Sequence, residues 1–269
     1  SLGMEIRQAD GQSGWAGIAT THRDGDVRPE TVGVPIPGVE VKLSDQGEIM
    51  VRGKSVMLGY YKNEKATREA FTPDGFLRTG DAGYFGEDGH LYIFDRFKDI
   101  MTLADGTRFA PQDIETRLKF SPYIKDAWVL AGPRSDYASA IIIIDYNSVG
   151  RWAGQKRVAY TTFTDLSQKP EVYELVKQDI DRVNSTLPPG SRLNKYVNLH
   201  KEFDPDEAEL TRNKKLRRTF MEERYRDLIE AIYGNKTEVP IEARVRYRDG
   251  RMGTIKTTLS IKSVEGDAL

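Results

Sequence analysis

The stretch PDGFLRTGDAGYFGEDGHLYIFDRFKDIMTLADGTRFAPQDIE, residues 73–115, carries the pattern from which the fold is predicted. It joins short apolar runs through Asp-Gly pairs that begin at residues 74, 88 and 105. Asp-Gly is typical of tight hairpin turns, because both residues accept a positive φ. The stretch ends with Pro111, and proline is favoured at the first position of a helix. The pattern therefore changes here from strands and turns to alternating helices and strands.

Two charged groups in this stretch are candidates for a binding site. Asp81 follows Gly80, so a carboxylate stands at a strand end beside flexible backbone. An ionised carboxylate accepts hydrogen bonds on both oxygens, which suits a vicinal diol such as the 2′ and 3′ hydroxyls of a ribose. Further on, Asp-Arg-Phe-Lys-Asp (95–99) closes the apolar run 91–94 and supplies a guanidinium and an ammonium group. Either motif alone is also typical of an ordinary turn or ion pair.

The composition limits the class of protein. The chain has 269 residues, with 40 basic and 41 acidic residues and no cysteine. The balance of charge gives no global field that would select nucleic acid, and the lack of cysteine excludes disulfides and a cysteine nucleophile. No apolar run approaches the roughly 18 residues of a membrane span and no signal peptide opens the sequence, which favours a soluble, cytoplasmic protein. His22, His90 and His200 lack metal-ligand spacing and are interpreted as surface or packing residues.

Residues 30–97 show the pattern of a small antiparallel, barrel-like subdomain. Two alternating runs within 32–53 flank an Asp-Gln-Gly turn and predict a hairpin. A short helix is expected over 63–71, with Asn63 as its N-cap. Five of the six Asp-Gly pairs in the chain lie in its N-terminal half, between residues 10 and 106, and indicate many tight turns there.

From Ile100 onward the pattern predicts an α/β domain. Helices are expected at 111–119, 148–155, 168–187 and 216–233, and strands at 124–131, 139–146 and 195–203. The isoleucine run 141–144 predicts a strand covered on both faces. Residues 239–264 alternate on both sides of an Asp-Gly pair and predict a C-terminal β-hairpin that docks on the central sheet. The predicted fold is mixed α/β: a barrel-like subdomain, then a domain with a central sheet, flanking helices and this hairpin.

Four motifs, in this order, resemble those of the adenylate-forming superfamily of acyl- and aryl-CoA synthetases, adenylation domains and luciferases. They are GYYKNEKATREAF (59–71), FLRTGD (76–81), DGHLYIFDRFKD (88–99) and GTRFAPQDIE (106–115). Within the superfamily the chain is most similar to AMP-forming long-chain acyl-CoA synthetases. The resemblance implies that a fatty-acid carboxylate attacks the α-phosphate of ATP, giving acyl-adenylate and pyrophosphate. The thiol of coenzyme A then displaces AMP.

The resemblance also implies roles for residues of the central stretch. Asp81 would hold the ribose hydroxyls, and Arg96 would brace the ribose and phosphate side. Lys98 matches the hinge of the family, about which the C-terminal domain rotates between the two half-reactions.

A basic segment, residues 209–218, is similar to the Leu-Thr-x-x-x-Lys motif whose lysine reaches the α-phosphate in the family. The spacing selects Lys215 as the catalytic lysine, and Lys214 is the neighbouring alternative. As chemistry alone, the segment is a solvated basic loop, and its lack of interleaved aromatic residues argues against nucleic-acid binding.

The resemblance implies ATP, coenzyme A and Mg²⁺ as the small molecules. In the family a Tyr-Gly-x-Thr-Glu motif meets the phosphates with its threonine and holds magnesium with its glutamate. The nearest match here is DGQSG, residues 10–14, which keeps only Gly11. Ser13 could replace the threonine hydroxyl, but Gly14 cannot bind a cation. No magnesium ligand is therefore expected in this chain.

The sequence lacks the Ser-, Thr- and Gly-rich phosphate loop of the family. On this interpretation residues 1–97 are the C-terminal part of the large AMP-binding domain, and residues 98–269 are the mobile lid, with the hinge at 98–99. The chain is then expected to be inactive without an N-terminal domain of the same polypeptide. The expected partners are fatty acid, ATP and coenzyme A, with no nucleic acid, and peripheral membrane contact is left open.

Two alternatives stay open at this point. The chain could belong to another adenylate-forming ligase that passes its acyl group to a carrier-protein thiol, although an insertion near 146–170 favours the long-chain group. It could also be a non-catalytic binding or regulatory domain that kept the fold. A reading frame that extends several hundred codons upstream of residue 3 would exclude this second alternative.

Overall fold

The computed structural model of the protein describes residues 6–131, 135–204, 207–211, 216–234, 236–246 and 252–264, with backbone alone for 243–246 and 252–255. The chain divides into two compact units, residues 1–100 and 101–269. Its architecture is mixed α/β, which confirms the predicted fold class. Within the described residues, no helix is both long and apolar enough to cross a membrane.

The first unit consists mainly of antiparallel strands. Its elements are β1 (Ala9–Asp10), β2 (Thr20–Thr21), β3 (Val34–Pro35), β4 (Val39–Leu43), β5 (Glu48–Gly53), α1 (Glu64–Ala70), β6 (Leu77–Phe85) and β7 (Leu91–Arg96). The first three strands form one small sheet, and β4-β5-β6-β7 form a four-stranded sheet in chain order. The curled antiparallel arrangement confirms the predicted barrel-like subdomain.

The hairpin β4–β5 follows the alternation in its sequence. Val39, Val41 and Leu43 pack against a buried core, whereas Glu40 between them is exposed and pairs with Arg52. That core consists of Trp15, Ala19, Ile49, Val51, Leu77 and Leu91. The first unit is therefore held together by one apolar face of its main sheet, as the period of two requires.

Local signals also place α1. The side chain of Asn63 accepts a hydrogen bond from the Ala66 amide at 3.0 Å, which satisfies one of the unpaired donors at the start of the helix. Asn63 is therefore the N-cap, as predicted. The helix begins at Glu64 and ends at Ala70.

His22 and His90 form a buried hydrogen-bonded chain around Thr31. The Gln8 amide donates to Nδ1 of His22 at 3.1 Å, so we assign the proton of this ring to Nε2, which lies 2.9 Å from the Thr31 hydroxyl. The same hydroxyl lies 2.9 Å from Nδ1 of His90, and Nε2 of His90 lies 2.9 Å from a carboxylate oxygen of Asp26. All four ring nitrogens have partners, so both histidines act as packing residues, as predicted.

The second unit is a layered α/β structure. Its elements are β8 (Met101–Thr102), β9 (Arg108–Phe109), α2 (Pro111–Lys119), β10 (Ile124–Leu130), β11 (Ala138–Ile144), α3 (Tyr146–Lys156), α4 (Phe163–Ser167), α5 (Pro170–Asn184), β12 (Leu193–Asn198), α6 (Arg218–Arg224), α7 (Arg226–Tyr233), β13 (Glu238–Arg246), β14 (Met252–Ser260) and β15 (Lys262–Ser263). The central sheet has the order β10-β11-β12-β15, with β11 and β12 parallel and the other pairs antiparallel.

Strand β11 is covered on both faces, as its isoleucine run predicts. Ile142 and Ile144 belong to the core that contains α2, α3 and α5, whereas Ile141 and Ile143 belong to the core that contains α6 and α7. Every residue of β11 is buried. The alternation along one strand therefore joins two apolar layers into one domain.

The C-terminal hairpin docks on the second of these cores. Strands β13 and β14 pair with Val239 opposite Leu259, and both side chains are buried with Ile261 against that face. The following strand, β15, pairs with β12 and so joins the central sheet. The predicted C-terminal hairpin is therefore present.

Several predicted elements have other bounds in the structure, among them the strand expected over 195–203, which is β12 and ends at Asn198. The strand expected over 139–146 stops at Ile144, because the Asp145 side chain accepts from the Ser148 amide at 2.8 Å and caps α3. The helix expected over 168–187 begins at Pro170, and the separate helix α4 precedes it. The helix expected over 216–233 is two helices, α6 and α7, which break at Tyr225.

Candidate functional site

Asp81 and Arg96 lie on neighbouring strands of the first unit. They are register partners on β6 and β7, and Oδ1 of Asp81 lies 3.0 Å from Nη1 of Arg96. The Asp81 side chain is 14% exposed and that of Arg96 is 52% exposed. The structure thus brings together the two residues that the sequence predicts to contact the nucleotide.

Asp81 lies within β6 and not at a strand end as predicted, and the irregular register of β6 just before it depends on Gly80. Gly80 has a φ of +72°, where a residue with a side chain would be strained. The Asp81 amide donates to the Thr79 hydroxyl at 3.0 Å, and this hydroxyl donates to the carbonyl of Ile49 at 2.8 Å. The backbone on both sides of Gly80 is therefore fixed to the neighbouring strand, which sets the position of the carboxylate.

Two residues that the sequence did not assign to this group, Asp10 and Gln12, complete it. The side-chain amide of Gln12 donates to Oδ2 of Asp81 and, at 3.2 Å, to the carbonyl of Thr79. Burial raises the pKa of Asp10, and the nearby negative charge of Asp81 raises it further. We refer to Asp10, Gln12, Asp81 and Arg96 as the carboxylate cluster. The sequence did contain a signal for these two residues, because both fall in the segment 10–14 that was compared with the phosphate-binding motif of the family.

The chemistry of the carboxylate cluster suits a neutral polyol more than a metal. Burial raises the pKa of Asp81, whereas Arg96 and Gln12 act in the opposite direction by stabilising the charged form. Each carboxylate oxygen of Asp81 keeps a further lone pair that can accept a hydrogen bond from a hydroxyl group. In the described ranges no three His, Cys, Asp or Glu side chains are grouped to hold a metal ion. With a guanidinium and an amide already donating to Asp81, the carboxylate cluster suits hydroxyl donors better than Mg²⁺.

Lys98 lies in a short 3₁₀ turn, Phe97–Asp99, that follows β7. Its side chain is exposed, and the turn is closed by a 3.4 Å bond from the Ile100 amide to the Phe97 carbonyl. The compact units divide directly after this turn, at Ile100 and Met101. Its role as a hinge stays a prediction.

Lys214 and Lys215 lie outside the described residues, but the backbone on both sides of them is described. Leu210 and Leu216 form an isolated antiparallel bridge, and the Arg217 amide donates to the Glu209 carbonyl at 3.0 Å. The described residues on the two sides of 212–215 are therefore held next to each other, and we call the sequence stretch 209–218 the lysine loop.

Glu209 stands at the start of the lysine loop and is completely buried. The ammonium group of Lys201 lies 2.8 and 2.9 Å from its two oxygens, and the hydroxyl of Tyr225 donates to it at 2.7 Å. Nε of Arg224 lies 3.2 Å away, and the Asp204 amide donates at 2.9 Å. A buried carboxylate with this many donors is fully satisfied and fixes the backbone that carries it.

Arg218 stands at the other end of the lysine loop and contacts Glu115 of α2. Nη2 of Arg218 lies 2.9 Å from both oxygens of Glu115, and the Val129 amide donates to one of these oxygens at 2.8 Å. Both side chains are largely buried, at 15% and 7% exposed. Burial raises the pKa of Glu115 to about 7, while Arg218 and the Val129 amide oppose this shift. Neither Glu115 nor Glu209 was recognised as a site residue from the sequence.

His200 lines a cavity of about 580 Å³ between the end of β12, α7 and β13. The ring is buried, and its Nδ1 has no hydrogen-bond partner among the described residues. Burial lowers the pKa of His200 to about 4, and the positive charge of Lys201 lowers it further. The ring is therefore neutral near pH 7, which agrees with its interpretation as a packing residue.

The similarity to known proteins covers most of the chain. The family described as the AMP-binding enzyme C-terminal domain matches residues 98–237, just over half of the chain. The long-chain-fatty-acid–CoA ligase FadD15 of Mycobacterium tuberculosis is 34% identical over 87% of this chain and 39% of its own length. The human long-chain-fatty-acid–CoA ligase 1 is 31% identical over 87% of this chain and 35% of its own length. The chain thus spans well under half of the length of these relatives.

A solved structure agrees on the fold. The A domain of the carboxylic acid reductase from Segniliparus rugosus, in complex with AMP and a co-purified carboxylic acid, has a TM-score of 0.62 and 18% identity over 86% of this chain and 36% of that one. The chain belongs to the adenylate-forming superfamily, and its residues 98–237 belong to the family of AMP-binding enzyme C-terminal domains. Its named relatives are long-chain fatty-acid–CoA ligases.

Proposed function

We propose that the chain is part of an ATP-dependent, AMP-forming ligase that joins long-chain fatty acids to coenzyme A. The observation that carries this proposal is the Asp81–Arg96 pair, held on adjacent strands directly before a domain of the AMP-binding family. The names of the relatives supply the substrate class. The cytoplasmic location expected from the sequence stays a prediction.

In this proposal the first unit holds the nucleoside. Asp81 accepts hydrogen bonds from the two ribose hydroxyls, while Gln12 and Arg96 keep its carboxylate oriented. The guanidinium of Arg96 is about half exposed and has further N–H donors, so it can reach the phosphate side while it keeps its contact with Asp81. A carboxylate fixed before the ligand binds reduces the cost of ordering the site.

The second unit supplies the charge for the first half-reaction. As the fatty-acid carboxylate attacks the α-phosphate of ATP, pyrophosphate leaves and negative charge develops on the phosphoryl oxygens. Lys215, or Lys214 in its place, stabilises this charge by electrostatic preorganisation. Rotation about Lys98 then presents a different face of this unit to the acyl-adenylate. In the second half-reaction the thiol of coenzyme A displaces AMP.

The activity is proposed for residues 1–269 together with the large nucleotide- and acyl-binding domain that the resemblance implies, in the same polypeptide or added separately. Residues 1–269 alone should form no acyl-CoA, because no phosphate loop was recognised in the sequence. The test is pyrophosphate release over a panel of carboxylic acids, with the chain alone and with the complete ligase. Turnover by the chain alone would overturn this part of the proposal.

The acceptor is tested in the same assay. With the acid that gives the fastest pyrophosphate release, the products with coenzyme A and with a phosphopantetheine carrier protein are compared by mass spectrometry. Acyl-CoA as the main product supports the proposed ligase. An acylated carrier protein would favour the alternative ligase, and no pyrophosphate release with any acid would favour a non-catalytic domain.

A further inference from the structure

The cavity beside His200 plays no part in the proposed reaction. Its volume of about 580 Å³ lies within the range of about 300–1,000 Å³ that is typical of small-molecule sites. One wall consists of residues 239–242 of β13. The match to the AMP-binding enzyme C-terminal domain ends at residue 237, so this wall lies outside the matched region. The cavity is therefore closed in part by a segment that the family match does not cover.

The lining combines an aliphatic surface with a buried polar ring. Leu228, Val239 and Ile241 supply aliphatic side chains, and the first two are buried in the core that contains α6 and α7. His200 is 7% exposed, and its Nδ1 has no hydrogen-bond partner within the part of the chain that the structure describes. Buried polar atoms are normally paired, so this nitrogen is an anchor point for a ligand with a hydrogen-bond donor.

The charged residues of the lining favour a cation over an anion. Lys201 and Arg224 both pair with Glu207, and both also pair with the buried Glu209. Their positive charges are therefore already balanced by two carboxylates, which an anionic ligand would have to displace. Asp227, in the first turn of α7, is exposed and makes no ion pair with any other residue that the structure describes.

Two further features of the lining also favour a positive charge. Glu242 of β13 adds a second carboxylate, and its pair with Lys256 is weak because the two side chains are 65% and 85% exposed. The ring of His200 is uncharged near pH 7, because burial lowers its pKa to about 4. The ring therefore does not repel a cation in the cavity.

We propose that the cavity beside His200 binds a small organic ammonium ion with an apolar body. The aliphatic part of the ligand packs against Leu228 and Val239, where its apolar surface is removed from water. The ammonium group pairs with Asp227, and an N–H of the ligand donates to Nδ1 of His200. A neutral imidazole with its proton on Nε2 accepts this bond. The inference does not depend on the proposed ligase activity.

Titration of the 269-residue chain with hexylamine, hexanoate and hexanol near pH 7 tests the preference for a cation. The three probes share a chain length and differ in the charge of the head group. Hexylammonium should bind at least about fivefold more tightly than either of the others, as one added ion pair allows. It should also shift the ¹⁵N resonance of Nδ1 of His200. No binding of hexylammonium, equal affinity for hexanoate, or an unchanged His200 resonance would each overturn the proposal.

Substitutions locate the bound probe. Asp227→Asn keeps the size of an exposed side chain and removes its charge, so hexylammonium should bind about fivefold more weakly. Glu222→Gln, at an exposed residue of α6 that does not line the cavity, is the matched control and should stay within about twofold of the parent chain. Ile241→Trp should fill the cavity and abolish the shift of the His200 resonance. Equal loss in Asp227→Asn and Glu222→Gln, or full binding by a folded Ile241→Trp variant, would overturn the assignment of the site.

Discussion

Asp81 and Arg96 face each other across β6 and β7 with Oδ1 and Nη1 3.0 Å apart, and Gln12 donates to the other oxygen of the same carboxylate. The carboxylate is therefore held in one orientation by two donors from different parts of the first unit. Gly80 and Thr79 fix the backbone that carries it. This arrangement suits a residue that must meet a pair of hydroxyls in a defined geometry.

Replacing Asp81 with asparagine should weaken nucleotide binding. The amide keeps the size of the side chain but loses the charge that strengthens the two expected bonds to ribose. Hydrogen bonds to charged groups are worth about 1.5–3 kcal/mol, so the KM for ATP should rise by roughly 10- to 100-fold. Asp74→Asn, at a more exposed aspartate that pairs with Lys42, is the control and should leave the KM unchanged. An unchanged KM in Asp81→Asn would show that Asp81 serves only Arg96 and Gln12.

Replacing Lys215 with alanine should strongly reduce adenylation and largely spare thioester formation from supplied acyl-adenylate. The loss of one preorganised donor to the developing charge is expected to lower the rate of pyrophosphate release by about 10²- to 10³-fold. Lys214→Ala is the comparison, and the larger loss identifies the lysine that reaches the phosphate. Equal loss of both half-reactions in Lys215→Ala would show that Lys215 has been misassigned.

Local patterns predicted the elements of this fold better than the contacts between them. Asn63 was recognised as a cap because its partner, Ala66, is three residues away. The two faces of β11 follow from the period of two along one short run. These features depend on near neighbours in the sequence, so the sequence alone reveals them.

The contacts that complete the candidate site join distant segments. Gln12 meets Asp81 across 69 positions and Glu115 meets Arg218 across 103, and no local period encodes either pair. The break in the predicted helix at Tyr225 has the same origin, because the hydroxyl of Tyr225 donates to buried Glu209 and its ring packs against Trp128. Tertiary contacts override helix periodicity at this position.

Replacing Lys98 with proline should separate the two half-reactions. Proline fixes its own φ near −65° and disfavours helical dihedrals in the preceding residue, so the 3₁₀ turn at Phe97–Asp99 should be lost. If the C-terminal domain must rotate about this turn, the substitution should favour one orientation of that domain. One half-reaction should then be lost selectively. Lys98→Ala changes the side chain but leaves φ free, and should keep both. Full activity of Lys98→Pro in pyrophosphate release and in thioester formation would contradict the hinge role.

Protonation of His200 should destabilise the second unit in acid. Burial lowers the pKa of His200 from 6.5 to about 4; Lys201 lowers it further, Glu207 opposes this shift, and Arg224 makes the smallest contribution, which also lowers the pKa. Between these two pH values the unfolded chain binds a proton that the folded chain does not, so the free energy of unfolding should fall as the pH is lowered from 6.5 to 4. The loss from this one group is on the order of 3 kcal/mol, and it should be absent in His200→Gln. Urea unfolding of both proteins across this range measures it. The free energy of unfolding of the parent protein minus that of His200→Gln should be constant above pH 6.5 and should decrease below it. A difference that does not change with pH would show that His200 does not titrate in this way.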